Sequence, residues 1–581
     1  MAAAESVSQE KTPATAGQDE SSQENLPPPP TFGKTSLFIL VIALAVYAYQ
    51  TNVFSIWSGV VRDSHTGVES PATKPYQPYL STDIAKRDEI VEAFKYAWGA
   101  YERDAMGDDE YKPLTKSGSN LTEAGGIGFT IIDSLDTMQI MGLEDEYKRA
   151  REWIAMNMTF DKDGHFNTFE TTIRILGGLL SAYHLSDEDA MYLEKAIDLA
   201  DRILPAFDTP SGLPRSQINL QDRTGIDDPN VPGLVSTAEA STLQLELKYL
   251  SFLTDNDEYW EKAEKVMKTI KDERISGPLV PIYMNAQTGE FMLSEIRLGS
   301  RGDSYYEYLL KQYLQTNRSE EVYREMYTET MAAIHDALIK RGLIQGHTYT
   351  AELVPIRKDG QSAWRHSHKQ DHLVCFLGGS LMLGAITTGA TGPVSVPPKP
   401  SELSEAAQKD WLLGSELIET CMDTYTSSAT GLSPEIAHFW TENHGKLLER
   451  QKRDWYVKGN DFPGQPSYDA RYILRPETIE SLFIAYRLTG DDKYREYGWN
   501  IFQAIQKYCR VESGGYASLL NVENVRSIKM DKMETFFLSE TLKYLYLLFS
   551  DETVIPLDKY VFNTEAHPLP IFTPSVRTGT F

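Results

Sequence analysis

Seven times between residues 133 and 549 the chain repeats one plan: an ionisable side chain, then an apolar or aromatic stretch of helical length. The stretches begin at Asp133 (DSLDTMQIMGL), Glu170 (ETTIRILGGLLSAYHLSDED), Glu239 (EASTLQLELKYLSFLTDNDEYW) and Asp303 (DSYYEYLLKQYLQT). Three more begin at His372 (HLVCFLGGSLMLG), Glu477 (ETIESLFIAYRLTGDDKYREYGW) and Glu540 (ETLKYLYLLFSD). Successive starts lie 37, 69, 64, 69, 105 and 63 residues apart, and most gaps have room for one further helix, such as Asp257–Lys271 or Asp491–Tyr508. The 105-residue gap carries a Pro-rich insertion at Pro393–Pro400, which reads as a surface loop. Recurring helix pairs imply an open solenoid or a closed toroid. Segments such as Leu176–Tyr183 and Tyr544–Phe549 are apolar nearly all round, as inner helices of a closed structure would be. The expected fold is all-α, an (α/α)7 barrel with its seven ionisable residues gathered at one end.

Gathered carboxylates are chemically useful. Crowding and burial separate their proton affinities, which supplies a donor and a base in one pocket. Glu170 and Arg174 stand at i, i+4 and can pair, whereas Asp303 and Glu307, or Glu477 and Glu480, are like-charged neighbours that need a cation, ligand or metal to offset them. An acid at a helix start can also simply complement the helix dipole. With 56 basic against 83 acidic residues the net charge is −27, so the chain has no general attraction for nucleic acid. His366, His368 and His372 lack the further ligands that zinc needs, and Asp161 opens no complete calcium loop. There is no phosphate loop and no serine nucleophile elbow.

The N-terminal region is organised differently. Residues 1–35 read as a disordered cytosolic tail ending beyond Pro27–Pro30. Residues 36–57 read as a transmembrane signal-anchor: no charge lies between Lys34 and Arg62, and Leu37–Trp57 as a helix would span about 31 Å. Residues 58–83 read as a stem, with the bulk of the chain beyond it. The triplets at Asn120, Asn157 and Asn317 are N-glycosylation acceptors, which places that bulk in the secretory lumen, as a single-pass type II protein.

From about residue 84 to 581 the chain resembles the class I α-1,2-mannosidases, glycoside hydrolase family 47. The resemblance rests on GFTIIDSLDTM, FETTIRILGGLLSAYHLSD, GDSYYEYLLKQ, DHLVCFLGG, LRPETIES, METFFLSETLKYLYLLF and FNTEAHP. It implies an (α/α)7 barrel that binds Ca²⁺ and trims α-1,2-linked mannose from high-mannose N-glycans with inversion, acting as a monomer. It further implies Glu170 as general acid, Glu477 as general base and Asp303 as a third essential carboxylate. Asp133, Arg174, Glu239, Arg301, His372, Glu435, Arg475, Glu480, Phe536, Glu540 and Glu565 match the family's substrate pocket, with Phe536 under the sugar ring. Thr564 would ligate calcium, and Cys375 and Cys421 match the family's disulfide, leaving Cys509 free. Arg301 and Asp371 resemble the endoplasmic-reticulum type, which converts Man9GlcNAc2 to one Man8GlcNAc2 isomer. The alternatives are a Golgi-type enzyme trimming to Man5, a lectin-like degradation factor of the same fold, and a helical scaffold.

Overall fold

A computed structural model describes residues 80–274, 277–358, 361–459 and 467–575. The expected tail, the anchor at 36–57 and all but the end of the expected stem lie outside these residues. Among the described residues, no helix is long and apolar enough to cross a membrane.

Seven helices form a closed inner ring. In chain order they are Leu135–Met141, Gly177–Leu185, Gln244–Thr254, Asp303–Gln315, Phe376–Thr388, Glu477–Thr489 and Leu542–Phe549. Each packs on the next, and the segment Phe537–Thr541 that leads into the last packs back on the first. Their composition explains the position: from Ser304 to Gln315 and from Glu477 to Leu488 every residue is buried, so no face is left for water. Local signals set the ends. Asn167 and Ser236 accept the backbone N–H of Glu170 and Glu239 at the helix starts, and Gly142 and Gly490 close helices at φ 69° and 67°.

An outer layer covers the ring. Glu144–Asn157, Ala190–Ile203, Asp257–Glu273, Glu321–Ala337, Glu405–Thr426 and Asp492–Tyr508 each pack on the inner helix that precedes them. The seventh pair is different. Leu542–Phe549 takes its outer partner from the beginning of the domain, Ile84–Ala105, which buries Phe94, Trp98 and Tyr101. Buried charge also ties the layers: Lys248 of the inner ring meets Glu264 at 2.6 Å and Glu320 at 2.8 Å, all three shielded from solvent. Such a set persists only because each charge has a partner.

Short antiparallel sheets decorate the loops, which the expectation of an all-helical chain did not include. The longest strands are Glu352–Lys358 and Gln361–Ser367; most others have three residues, too few for an alternating pattern to register. One small sheet joins Lys369–Asp371, Ile436–Phe439 and Trp455–Tyr456, and so brings His372 beside Glu435, whose carbonyl accepts the His372 N–H at 2.9 Å.

Phe376–Thr388 and Glu405–Thr426 cross where both lack side chains. A Cβ on Gly414 would stand 2.7 Å from the carbonyl oxygen of Gly378, and one on Gly378 would stand 2.6 Å from Ile418. The Cys375–Cys421 disulfide ties the same two helices. Gly414→Val therefore overpacks a crossing that cannot separate, and should lose about 1–3 kcal/mol in a urea unfolding titration. Wild-type stability would show that the crossing has slack.

Candidate active site

The starts of the inner helices surround a cavity of about 640 Å³. Glu170, Arg174, Glu239, Arg301, Asp303, Arg475, Glu477, Glu480, Phe536, Glu540, Thr564 and Glu565 all line it. The structure thus gathers most of the residues singled out from sequence, although they come from five inner segments and a C-terminal turn.

That turn completes the centre of the ring. Strands Tyr560–Phe562 and Pro568–Pro570 form a hairpin whose loop, Asn563 to His567, enters the ring. Asn563 Oδ1 accepts the N–H groups of Glu565 and His567, while its Nδ2 donates to the Ile173 carbonyl and to Glu246. Thr564 Oγ1 donates to Glu307 at 2.9 Å, and its N–H donates to Tyr308 Oη. His567 bridges Asp133 at 3.2 Å and Asp136 at 2.7 Å, and Lys543 pairs with Asp136 at 2.8 Å. These partners belong to the first, second, third, fourth and seventh inner segments. A single loop reads almost the whole ring.

The cavity wall divides into three arginine stations. Arg174 donates from Nε to Glu170 at 2.8 Å, pairs through Nη1 with Glu565 and bonds Thr535 at 2.9 Å. Arg475 holds both oxygens of Glu435 at 2.9 Å and meets Glu477 at 3.3 Å. The Arg174 and Arg475 guanidinium carbons lie 5.7 and 5.8 Å from the centre of Phe536, so the ring is close to two cations. Arg301 approaches Glu239 at 3.3 Å and lies 5.3 Å from the Tyr283 ring. Its backbone is left-handed, at φ 69°, which costs a non-glycine residue roughly 1–2 kcal/mol. The Ala238 N–H, bonded to the Arg301 carbonyl at 3.0 Å, helps to hold it there.

Backbone irregularity marks other positions as well. A wider, i to i+5 helical turn at Thr171–Leu176 follows Glu170 directly, and another at Phe537–Thr541 contains Glu540. Such turns alter where the side chains on them point and recur at functional sites.

Three residues expected in the pocket stand behind it. Asp133 is wholly buried beneath Arg174 and His567, and Glu435 supports Arg475. His372 is buried on the far side of Glu477, bonding its Oε2 through Nδ1 at 2.7 Å and Tyr425 Oη through Nε2 at 2.7 Å. His366 and His368 are engaged elsewhere, with the Ala337 carbonyl and Tyr349. Asp161 is occupied by Arg202. Sequence reasoning missed Lys311, Asp136, Lys543, Tyr425 and His567. Only Lys311 left a local signal, standing at i+4 from Glu307, with which it pairs; it also lies 3.6 Å from Glu480.

The environment splits the carboxylates into two states. Burial pushes Asp303 up to about 7; Glu307 and Glu477 add repulsion, against the opposing N–H of Ser304. Burial would raise Glu477 too, but Arg475 and the His372 hydrogen bond outweigh it and hold this carboxylate below its usual range. Burial and mutual repulsion push Glu480 up to about 8, and raise Glu540 and Glu565 well above the ordinary value. Among the described residues, Glu307, Glu477, Glu480 and Glu565 on the cavity floor pair with Arg174, Lys311 or Arg475, while Asp303 and Glu540 beside them add two further carboxyls. A floor of oxygen donors short of positive charge fits a hard divalent cation. Among the described residues no three His, Cys, Asp or Glu side chains converge to enclose an ion.

Comparison with known proteins gives the same neighbourhood. Residues 93–571 match the model of glycosyl hydrolase family 47. The chain is 42% identical over 545 residues to the endoplasmic reticulum mannosyl-oligosaccharide 1,2-alpha-mannosidase of Homo sapiens, across 90% of this chain and 71% of that one. It is 46% identical over 495 residues to the mannosyl-oligosaccharide 1,2-alpha-mannosidase of Candida albicans, across 84% and 83% of the two chains. The solved alpha-1,2-mannosidase from Trichoderma reesei superposes with a TM-score of 0.72 at 28% identity, covering 84% of this chain and all of that one.

The state of Asp303 has a measurable cost. Below about pH 4 it is protonated in the folded and unfolded chain alike. Between there and about pH 7 the unfolded chain ionises and the folded one does not, so stability falls as pH rises through that window. Asp303→Asn has no such penalty. In chelator at pH ~7 the variant should be more stable than wild type by on the order of 1–3 kcal/mol, with the gap closing near pH 4. Denaturant titrations at the two pH values check this; a pH-independent difference would refute it.

Proposed function

The chain belongs to glycosyl hydrolase family 47 and is a glycoside hydrolase of the mannosyl-oligosaccharide 1,2-α-mannosidase class; from that premise we propose that it converts Man9GlcNAc2 N-glycans to a single Man8GlcNAc2 isomer. The observation that carries the reaction is the opposed state of Asp303 and Glu477, which stand at the starts of different inner helices around one cavity. Environments that push two carboxyls apart assign a proton supply and a base. Glu477 removes a proton from a water molecule as the water oxygen bonds the anomeric carbon. The bond to the leaving sugar's oxygen breaks, and that oxygen receives a proton. Attack and departure on opposite faces invert the configuration.

Glu170 occupies the wall beside Arg174 and presents the donor carboxyl to the glycosidic oxygen. Asp303, which burial keeps protonated up to about neutral pH, is the third essential carboxylate. Phe536 supports the apolar face of the sugar ring, an arrangement that excludes water from one side. A calcium ion would be held through the hydroxyl and carbonyl oxygens of Thr564 with waters anchored by the floor carboxylates. When bound it would offset their repulsion and grip a pair of sugar hydroxyls. Arg301, at the cavity wall and fixed by its left-handed backbone, selects the branch through charge-assisted hydrogen bonds.

The setting follows from the same reading. Residues 36–57 anchor the chain in the endoplasmic reticulum membrane, with residues from 84 onward in the lumen. Asn120, Asn157 and Asn317 are all exposed, as glycan acceptors must be, and the Cys375–Cys421 bridge suits an oxidising compartment.

Timed digestion of Man9GlcNAc2 by the detergent-solubilised chain, with product isomers resolved, tests the proposal. Glu477→Gln should slow turnover by about a thousandfold while retaining glycan affinity, and exhaustive chelation should abolish turnover and lower the melting temperature. Glycan binding by wild type without turnover would instead establish a lectin-like protein.

Arg301→Leu should still cleave Man9GlcNAc2 but proceed past Man8. A loss of about 1.4 kcal/mol between competing branches erodes selectivity tenfold. Arrest of that variant at the same single Man8 isomer would remove Arg301 from the selector role.

A further inference from the structure

Glu477 and two buried side chains behind it form a line. Glu477 begins its inner helix, His372 begins the turn leading into the neighbouring one, and Tyr425 lies near the end of the outer helix Glu405–Thr426. His372 Nδ1 is 2.7 Å from Glu477 Oε2, and His372 Nε2 is 2.7 Å from Tyr425 Oη. The Tyr425 and His372 rings meet edge to face at 5.7 Å, and all three residues are almost fully shielded. Neither His372 nor Tyr425 lines the cavity, so neither can touch the sugar.

A neutral imidazole carries one hydrogen, on either nitrogen. The carboxylate of Glu477 only accepts, so the contact at Nδ1 requires the hydrogen there. Nε2 is then a lone pair that needs a donor, and the phenol supplies one. Thr478 Oγ1, at 3.3 Å, is the only other side-chain hydroxyl bonded to Nε2 and is more distant. The remaining polar groups around this line do not compete for Nε2. Arg475 engages Glu435 and the other Glu477 oxygen, Asp371 pairs with Lys369, and Tyr472, its ring edge-on to that of Tyr425, directs its hydroxyl to the Tyr425 hydroxyl rather than to the imidazole. Burial keeps the Tyr425 proton in place across the working pH range.

We propose that Tyr425 is a positioning residue for hydrolysis: by donating to Nε2 it selects the His372 tautomer whose Nδ1–H fixes and orients the Glu477 carboxylate. This rests on Glu477 acting as the base. The two helices that present His372 and Tyr425 are those bridged by Cys375 and Cys421, which stand three residues after His372 and four before Tyr425. The disulfide therefore sets the spacing of the line.

Tyr425→Phe removes one oxygen and leaves the packing. It should lower kcat on Man9GlcNAc2 by about tenfold, the scale on which support of a functional group is felt, with KM within about twofold of wild type because no sugar contact is lost. A carboxylate that loses a donor holds its proton to higher pH, so the acidic limb of kcat/KM should move upward. Unchanged kcat and an unmoved limb would reduce Tyr425 to core packing and overturn the proposal. Nitrogen NMR of histidine-labelled wild type, with His372 assigned by its loss in His372→Asn, gives a readout independent of turnover. Hydrogen on Nδ1 alone supports the proposal; hydrogen on Nε2, as the other tautomer or as imidazolium, overturns it. Failure of wild type to cleave Man9GlcNAc2 would overturn the base assignment, whereas cleavage with an indifferent Tyr425→Phe would overturn only this one.

Discussion

Like charges enclosed at the centre of a closed ring repel one another, and much of the molecule is arranged around that repulsion. Arg174, Lys311 and Arg475 reach the floor from three different inner segments, each already engaged by more than one acid. They do not suffice, since Asp303, Glu480, Glu540 and Glu565 still bind protons far more tightly than free carboxylates. The centre is therefore destabilising by itself. What tolerates it is the continuous apolar core between the two helical layers, where Trp98, Tyr305, Leu309 and Phe483 are fully buried. Stability is made in the interlayer shell and used in the middle, the usual division between scaffold and functional site.

How the acids are aimed matters as much as how they are neutralised. Regular helices would direct each first-turn side chain by the same rule. Here the chain departs from regularity beside Glu170, around Glu540 and at Arg301, by two widened turns and one left-handed residue. Departures of this kind survive where neighbouring structure overdetermines them. The hairpin loop provides such neighbours, since Asn563 bonds the carbonyl of Ile173 within the first widened turn and Lys543, just beyond the second, bonds the carbonyl of Ala566.

The parts of this arrangement that were legible in the sequence are those that repeat locally. Seven apolar stretches with an ionisable head are visible because all-round burial removes the polar face that other helices display. Glu170 with Arg174 is visible because i, i+4 spacing is a geometric fact about one helix. The completion of the seventh pair by Ile84–Ala105 is not, because the pairing of the first helix with the last leaves no trace in either segment alone. His372 illustrates the same limit within the site. Its place at the head of a stretch resembles that of the acids, yet the strand pairing of Lys369–Asp371 with Ile436–Phe439 turns it behind Glu477 rather than into the cavity. Lys543 and Asp136 are likewise matched only across the ring, 407 positions apart in the chain.

The hairpin loop at Asn563–His567 and the pairing of Ile84–Ala105 with Leu542–Phe549 also bear on how the molecule comes into being. Ribosomal synthesis delivers the first outer helix early and its partner last, so Phe94, Trp98 and Tyr101 must wait uncovered through nearly the whole elongation of the domain. Throughout that interval the carboxylates meant for the floor lack the loop that joins their helices. A nascent or prematurely terminated chain is consequently both unable to act on a glycan and conspicuous to the chaperones that recognise exposed apolar helices. Completion of the catalyst thus depends on its last segments, which cover the first outer helix and join the helices of the floor.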